Sequence, residues 1–308
     1  MELALRNSLT ARQGVSTDMQ ARFIAYLDAK PRTVETYAKA LKPFFAYLAS
    51  NGITQPTRED ILAYRDELKG THKPTTVQAY IVPVRLFFQW AQQEGLYPNV
   101  AEHIKGAKIS KEHKKDALTS GQIKTILKDI PTGSLQGLRD YAIMALMVTC
   151  GLRTIEVVRA DIGDLRTAGD SAALYVQGKG QDEKNEYVKL PQPVEKAIRA
   201  YLKARGAADQ AQPLFASTSN NNQGERMTTR SISGIVKGRF TGAGYISDRL
   251  TAHSLRHTAG TLNLLNGGTL EETQQLLRHS NINTTMIYLH HLERAKNNSE
   301  ARIAAAIF

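Results

Sequence analysis

Apolar residues recur at helical spacing over most of this chain, and the places where that spacing stops divide it. The repeat fails at 104–117, Ile-Lys-Gly-Ala-Lys-Ile-Ser-Lys-Glu-His-Lys-Lys-Asp-Ala, a segment with five Lys and little periodicity. It fails again at Ala172–Gln177 and Glu186–Leu190, where the period drops to two, as in strands. A chain patterned this way is mainly α with a small β-sheet (α+β), built as two domains.

Before the first break, four helices are predicted. Thr17 and Asp18 can cap a helix to about Lys30, with Phe23, Ile24 and Leu27 on one face. Pro31 and Arg32 break it. A second helix runs from about Thr33 to Ser50 and ends at Gly52. Thr57 caps a third, Arg58–Leu68, closed by Gly70. A fourth spans Pro74 to Gly95, with Pro83 inside it. Four amphipathic helices with short connections make a bundle over 17–104. Residues 1–16 are polar and read as a flexible N-terminus. Residues 105–116 read as a linker, either a solvated tether or a segment lying along a phosphate backbone.

The second domain, 117–308, opens with a helix capped by Thr119 and Ser120. A helix from about Leu135 to Thr149 follows, apolar on most sides and therefore buried. After the two strands, helices resume at about Pro193–Arg205, Thr229–Phe240, Ala252–Leu265 and Leu270–Arg278. A further short helix carries Tyr288, and the last stretch, 293–308, is helical and ends in the apolar Ile303, Ile307 and Phe308.

Charge narrows the partner. Lys and Arg number 40 against 29 Asp and Glu, a net +11, which suits a polyanion, nucleic acid first. The single cysteine, Cys150, excludes an internal disulfide framework and a cysteine-based zinc site, and fits a reducing compartment. No apolar run approaches the length of a membrane span.

Four places in the second domain offer cationic or proton-transferring groups: Arg153 after a Gly turn, Lys179 between two glycines, His253-Ser254-Leu255-Arg256-His257, and His279 with Tyr288 nine residues on. Each has an ordinary reading alone. Arg153 can pair with Glu156 one turn on; Lys179 can be a hairpin-tip charge; His253 and Arg256 can serve a helix end; Tyr288 can pack. Together they are the groups that attack on a phosphodiester by a phenol requires. Two Arg forks fit phosphate oxygens and stabilise growing charge. His exchanges protons, Tyr becomes a nucleophile when cations favour its phenolate, and Lys protonates a departing oxygen.

Gly151-Leu152-Arg153-Thr154-Ile155-Glu156, Gly178-Lys179-Gly180, His253-Ser254-Leu255-Arg256-His257-Thr258, Leu277-Arg278-His279-Ser280 and Thr284-Thr285-Met286-Ile287-Tyr288, in that order, resemble the tyrosine recombinases, the phage integrase and Xer family. The resemblance implies a core-binding, SAM-like domain at 17–104, a catalytic domain at 117–308 and a C-terminal docking helix at 293–308. That helix would dock on a neighbouring protomer, with packing in cis as the alternative. The two domains would form a C-shaped clamp around DNA.

The same resemblance implies the roles. Arg153 and Arg256 clamp the scissile phosphate, Lys179 protonates the 5′ oxygen, and His253 assists proton transfer. His279 hydrogen-bonds a phosphate oxygen, Tyr288 forms a 3′-phosphotyrosine, and Glu156 orients Arg153 from behind. Lys184, in the same hairpin loop, is the rival to Lys179, while His257 is read as structural. Lys39, Lys42, Lys73 and Arg85 are the expected DNA contacts of the first domain, with a solvated face as the alternative.

The implied partners are double-stranded DNA with inverted half-sites and three further protomers, identical or from a paralogue, on two duplexes joined through a Holliday junction. Such a protein is expected in the cytoplasm, at the nucleoid. Neither metal nor other cofactor is expected, since the sequence has no phosphate-cradling Gly-rich loop ending in Lys-Ser/Thr and no carboxylate cluster for two metals. The short stretch before the first helix leaves no room for an arm-binding domain, which favours a dimer resolver or a compact mobile-element integrase. A type IB topoisomerase and a non-catalytic DNA-binding regulator are the competing readings.

Overall fold

The computed structural model describes residues 14–108, 116–178, 181–206, 209–296 and 298–308. The chain divides into two compact units, Met1–Glu112 and His113–Phe308.

Among the described residues of the first unit, four helices form: α1 (Thr17–Tyr26), α2 (Pro31–Ser50), α3 (Arg58–Thr71) and α4 (Pro74–Gln93). Their starts follow local chemistry. Ser16 Oγ accepts from the Met19 N–H at 3.3 Å, so the cap lies one residue before the expected Thr17. Pro31 opens α2 instead of only ending α1, because its missing N–H falls where a helix needs none. Thr57 and Asp60 cap α3 reciprocally. That helix runs through Gly70 to Thr71, with His72 as its C-cap. α4 packs against all three others. Phe23, Phe44, Phe87 and Phe88 are fully buried, and Phe87 has Phe23, Phe45, Phe88 and Trp90 around it with ring centroids 5.1–5.9 Å away.

The second unit is built on a helix buried on most of its sides. α5 (Ser120–Lys128) leads to α6 (Leu135–Cys150), which α5, α8, α9 and α10 all contact. Cys150 is buried at its end, and burial pushes its thiol up to about 12. A short α7 (Thr154–Arg159) follows, then a one-turn 3₁₀ helix at Ile162–Asp164 and an antiparallel sheet in the order β1 (Leu165–Ala168), β2 (Ser171–Val176), β3 (Glu186–Lys189). Leu174 pairs with Leu165 on one side and Val188 on the other, which fixes the register.

The remaining helices are α8 (Gln192–Arg205), α9 (Thr229–Gly242), α10 (Ala252–Leu265), α11 (Leu270–Leu277), α12 (Asn283–Lys296) and α13 (Ser299–Ile307). The Tyr288 helix is thus longer than expected. Position 293 lies inside it, and the terminal helix starts only at Ser299.

Candidate active site

Helix ends place the functional side chains of the second unit. α6 stops where Gly151 enters the left-handed region (φ 62°), a conformation that favours glycine. A Cβ there would also lie 2.8 Å from Leu277 Cδ2. The turn delivers Arg153 as the N-cap of α7, and Glu156 folds back from that helix's first turn. The Arg153 N–H donates to Glu156 Oε2 at 2.8 Å and Arg153 Nη1 donates to Oε1 at 2.7 Å. Burial alone would raise the pKa of Glu156; Arg278 and Arg153 overcome that and hold the carboxyl below its ordinary value.

Arg256 is 1% exposed. It reaches from α10 to the ends of two other helices, donating Nη1 to Gly151 O at 2.5 Å and Nη2 to Leu277 O. Burial, then the nearby Arg153 and Arg278, lower it to about 9, so it stays charged at neutral pH.

His279 directly follows the C-cap of α11, and its Nδ1 lies 2.9 Å from the hydroxyl of buried Thr285. With Thr285 as donor, Nε2 carries the ring proton and can donate outward. Burial, then Arg256, Arg153, His253 and Arg278, push His279 down to about 4, leaving it neutral at pH 7.

Tyr288 is 5% exposed and packs with Ala259 and Leu277. Gly260 permits this approach: a Cβ there would lie 3.4 Å from the Tyr288 ring and 2.9 Å from Leu277 Cδ1. Burial pushes the phenol up to about 12 against the pull of Arg256 and Arg153. The Tyr288 ring contacts His257 at 5.1 Å, and His257 contacts His253 edge-on at 4.8 Å. His257, expected to be structural, thus packs between His253 and Tyr288. The α-helical i, i+4 spacing brings the two imidazoles together, and that spacing is readable in the sequence.

The structure thus brings Arg153, Glu156, His253, Arg256, His279 and Tyr288 together around one junction of helix ends. Lys179 lies outside the described residues. Lys184 is held by two carboxylates, with Nζ 2.7 Å from Asp161 Oδ2 and 2.5 Å from Asp164 Oδ2. Burial opposes its charge, but these partners raise its pKa.

Arg278 joins this junction without a role having been expected for it. It stands inside the Leu277-Arg278-His279-Ser280 motif, but the sequence alone assigns it no function. Arg153, Arg256 and Arg278 with the single Glu156 carboxylate give 3 − 1 = +2 in formal charge. A cleft of about 720 Å³ is lined by Arg153, Arg278 and His279 together with Gly178, Gln181 and Asn185. Among the described residues, no group of three or more His, Cys, Asp or Glu side chains is placed to hold a metal ion.

The first-unit candidates do not converge in this way. Lys39 is exposed and paired with Glu35 at 2.7 Å. Lys42 is exposed three residues further along α2, and Lys73 is exposed as the N-cap of α4. Arg85 lines a separate polar cleft of about 480 Å³ with Asn99 and His103.

A junction of arginines, histidines and a buried tyrosine, on a helical domain preceded by a four-helix bundle, defines a class. Residues 116–294 match the phage integrase family and residues 20–95 match the phage integrase N-terminal SAM-like domain. The chain belongs to the phage integrase family, the tyrosine recombinases, and is an enzyme of site-specific recombination. A tyrosine recombinase of Synechocystis sp. is 31% identical over 276 residues, which cover 84% of this chain and 86% of the relative. Tyrosine recombinase XerC of Herpetosiphon aurantiacus is 30% identical, covering 87% of this chain and 89% of the relative.

Two solved structures share the fold. XerH bound to a palindromic difH substrate, a post-cleavage complex, has a TM-score of 0.71 at 20% identity, covering 94% of this chain and 91% of that one. A lambda integrase tetramer on a Holliday junction has a TM-score of 0.71 at 17% identity, covering 92% and 80%. The topoisomerase and regulator readings find no support in these comparisons. No helix among the described residues is long and apolar enough to cross a membrane.

Proposed function

We propose that this chain cuts and rejoins double-stranded DNA at inverted half-sites, as a tetramer holding two duplexes. The observation that carries the proposal is the +2 junction of Arg153, Arg256, Arg278 and Glu156 with Tyr288 and neutral His279 beside it. A phosphodiester brings one negative charge, and its pentacoordinate transition state approaches two; the junction matches that growth.

Tyr288 Oη attacks the phosphorus and forms the 3′-phosphotyrosine while the bond to the 5′ oxygen breaks. The phenol proton passes toward His253, and the 5′ oxygen takes a proton from Lys179. Lys184 is assigned a structural role, because Asp161 and Asp164 already hold its ammonium. Arg153 and Arg256 hold the phosphate, and neutral His279 donates one hydrogen bond to it. The 5′ hydroxyl of another strand reverses the step, so bond energy is kept in the covalent intermediate. The chain would work in the cytoplasm, at the nucleoid, in dimer resolution or in movement of an element. The fold boundaries proposed are a core-binding domain at 17–104, a linker at 105–116 and a catalytic domain from 117.

The test uses the full chain and a nicked suicide duplex bearing its binding site, recovered by selection from random-sequence DNA. A covalent protein–DNA adduct should form and vanish in Tyr288→Phe. Intact specific binding without any adduct overturns the proposal. A 5′-bridging sulfur at the scissile position, which leaves without a proton, should rescue Lys179→Ala. Rescue of Lys184→Ala alone moves the general acid to Lys184.

A further inference from the structure

We propose that Arg278 is a positioning residue for Arg153, acting through the Glu156 carboxylate. The proposal rests on the reading of this junction as the phosphate site.

Arg278 occupies a place that its backbone alone does not favour. It caps α11 in the left-handed region, φ 51° and ψ 52°, where a side-chain-bearing residue is uncommon. His103 is the one other non-glycine with positive φ among the described residues. The arginine side chain is nevertheless kept there, with 5% of it exposed. A guanidinium in that position is costly to desolvate unless its donors are used.

They are used as a strut. Nη2 donates to Glu156 Oε2 at 2.7 Å and to Gly151 O at 3.3 Å. Nη1 donates to Leu276 O at 2.8 Å and, at 3.5 Å, to Cys150 O. One side chain thereby joins the ends of α6 and α11 to the carboxylate at the start of α7. Arg278 also receives Arg153: its backbone carbonyl accepts Arg153 Nη2 at 3.2 Å.

Charge gives the strut its second task. Glu156 offers one negative charge, and its two oxygens are divided between Arg153 Nη1 and Arg278 Nη2. Were Arg278 absent, Arg153 and Glu156 would be a neutral pair, and a neutral pair attracts a phosphate weakly. With Arg278 sharing the carboxylate, Arg153 is oriented without being neutralised. The Nε–H of Arg278 is buried and has no hydrogen-bond partner, while the residue lines the cleft beside Arg153 and His279. A buried donor of this kind is where a bound anion, directly or through water, repays the unmade bond.

The experiment compares full-length parent, Arg278→Gly, Arg278→Lys, Glu156→Gln and the Arg278→Gly/Glu156→Gln pair on the selected nicked duplex. Glycine removes the side chain and relieves the left-handed backbone, so it should fold. Equilibrium DNA binding should weaken by only a few-fold, since the scissile phosphate is one contact among many, while the single-turnover rate of adduct formation on saturated DNA falls roughly 10- to 100-fold, the scale of a misplaced catalytic group. Lysine should recover part of that loss by restoring charge without the fork. The pair should be little slower than the slower single variant, since both act on one arm of Arg153.

Arg278→Gly reacting within twofold of the parent overturns the proposal, and so do losses that multiply in the pair. Should glycine not fold, Arg278→Lys takes its place, alone and paired with Glu156→Gln, and the same two results overturn the proposal. A parent that forms no adduct on this duplex overturns the recombinase reading itself, a result distinct from any difference between variants.

Discussion

The two units bury different things. The buried Arg, Asp, Glu and His residues among the described residues, Arg139, Asp140, Glu156, Asp164, Arg256 and His257, all lie in the second unit, as does the Arg278 side chain, 5% exposed. The first unit instead buries a stack of rings, with Phe44 touching Phe45, Tyr64 and Phe88 at centroid distances of 5.2–6.0 Å. A core of rings is held by apolar burial and dispersion, without any requirement that one polar group find another. A core containing Arg256 and Glu156 depends on each donor finding its acceptor, because an orphaned buried charge is costly. The first unit's core is therefore apolar and aromatic, whereas the second unit, also built on an extensive apolar core, adds buried charges that must each find a partner.

Phe87→Ala should cost the most. The residue is fully buried with four aromatic neighbours, and such truncations cost about 3–5 kcal/mol. Trp90, the chain's one tryptophan, lies in the same core, so its fluorescence follows this unit's unfolding. The midpoint should fall sharply while adduct formation by protein already bound to DNA stays near the parent rate. A large drop in that rate would break the proposed separation of the two cores.

Arg256→Lys should act the other way. Lysine keeps the charge but cannot span both Gly151 O and Leu277 O as the guanidinium does. Adduct formation should fall about 10²- to 10³-fold, as for loss of a group that stabilises transition-state charge, while the Trp90 transition stays in place.

A smaller effect separates the units by pH. His279 is lowered from 6.5 to about 4. Between those values the unfolded chain binds a proton that the folded chain refuses, so stability falls as pH falls across that window. Glu156 adds the same sign in stronger acid, since its lowered folded pKa makes its contribution whole above about 4.5 and lost as pH drops through the folded value. Between pH 7 and 5, calorimetry should show the second unit's transition moving down, and His279→Gln should flatten part of that slope. An unchanged slope in that variant would remove His279 from the account.

How much of this is legible in the sequence follows from what each residue needs. Arg153, Arg256, His279 and Tyr288 stand at spacings that make sense only jointly, so the sequence exposes them. Glu156 is legible because a carboxylate three residues after an arginine, at a helix start, has one obvious job. Arg278 is not, because a left-handed backbone and a buried guanidinium are three-dimensional facts with no periodicity. The strand β1 escapes for a different reason. Its four residues are too few to show alternation, yet Gly169-Asp170 between Ala168 and Ser171 is a two-residue hairpin signal that points to it. Helix starts shift where a proline expected to break a helix serves as its first residue, as at Pro31.

The smallest expected effect tests whether the first unit has a charged function at all. Lys39 and Lys42 lie three residues apart on α2, on one face. Lys39 already answers Glu35 at 2.7 Å, and that exposed pair must be broken before a phosphate is met. Exposed pairs of this kind are weak, so the competition is mild but real. Lys42 is exposed, and each phosphate it neutralises should add about 0.9 to the slope of log binding constant against log salt. Lys42→Ala should therefore weaken binding to every duplex alike and lower the slope by about that amount. Lys39→Ala should lower it by less, and Glu35→Gln should strengthen binding slightly by freeing Lys39. An unchanged slope in all three variants would mean that DNA meets a different face of the bundle, with Lys73 and Arg85 the next positions to try. A full drop for Lys42 with adduct formation on saturated DNA unchanged would show that a unit with an apolar, aromatic core carries its charged work on its surface alone, where the second unit carries part of its own in the core.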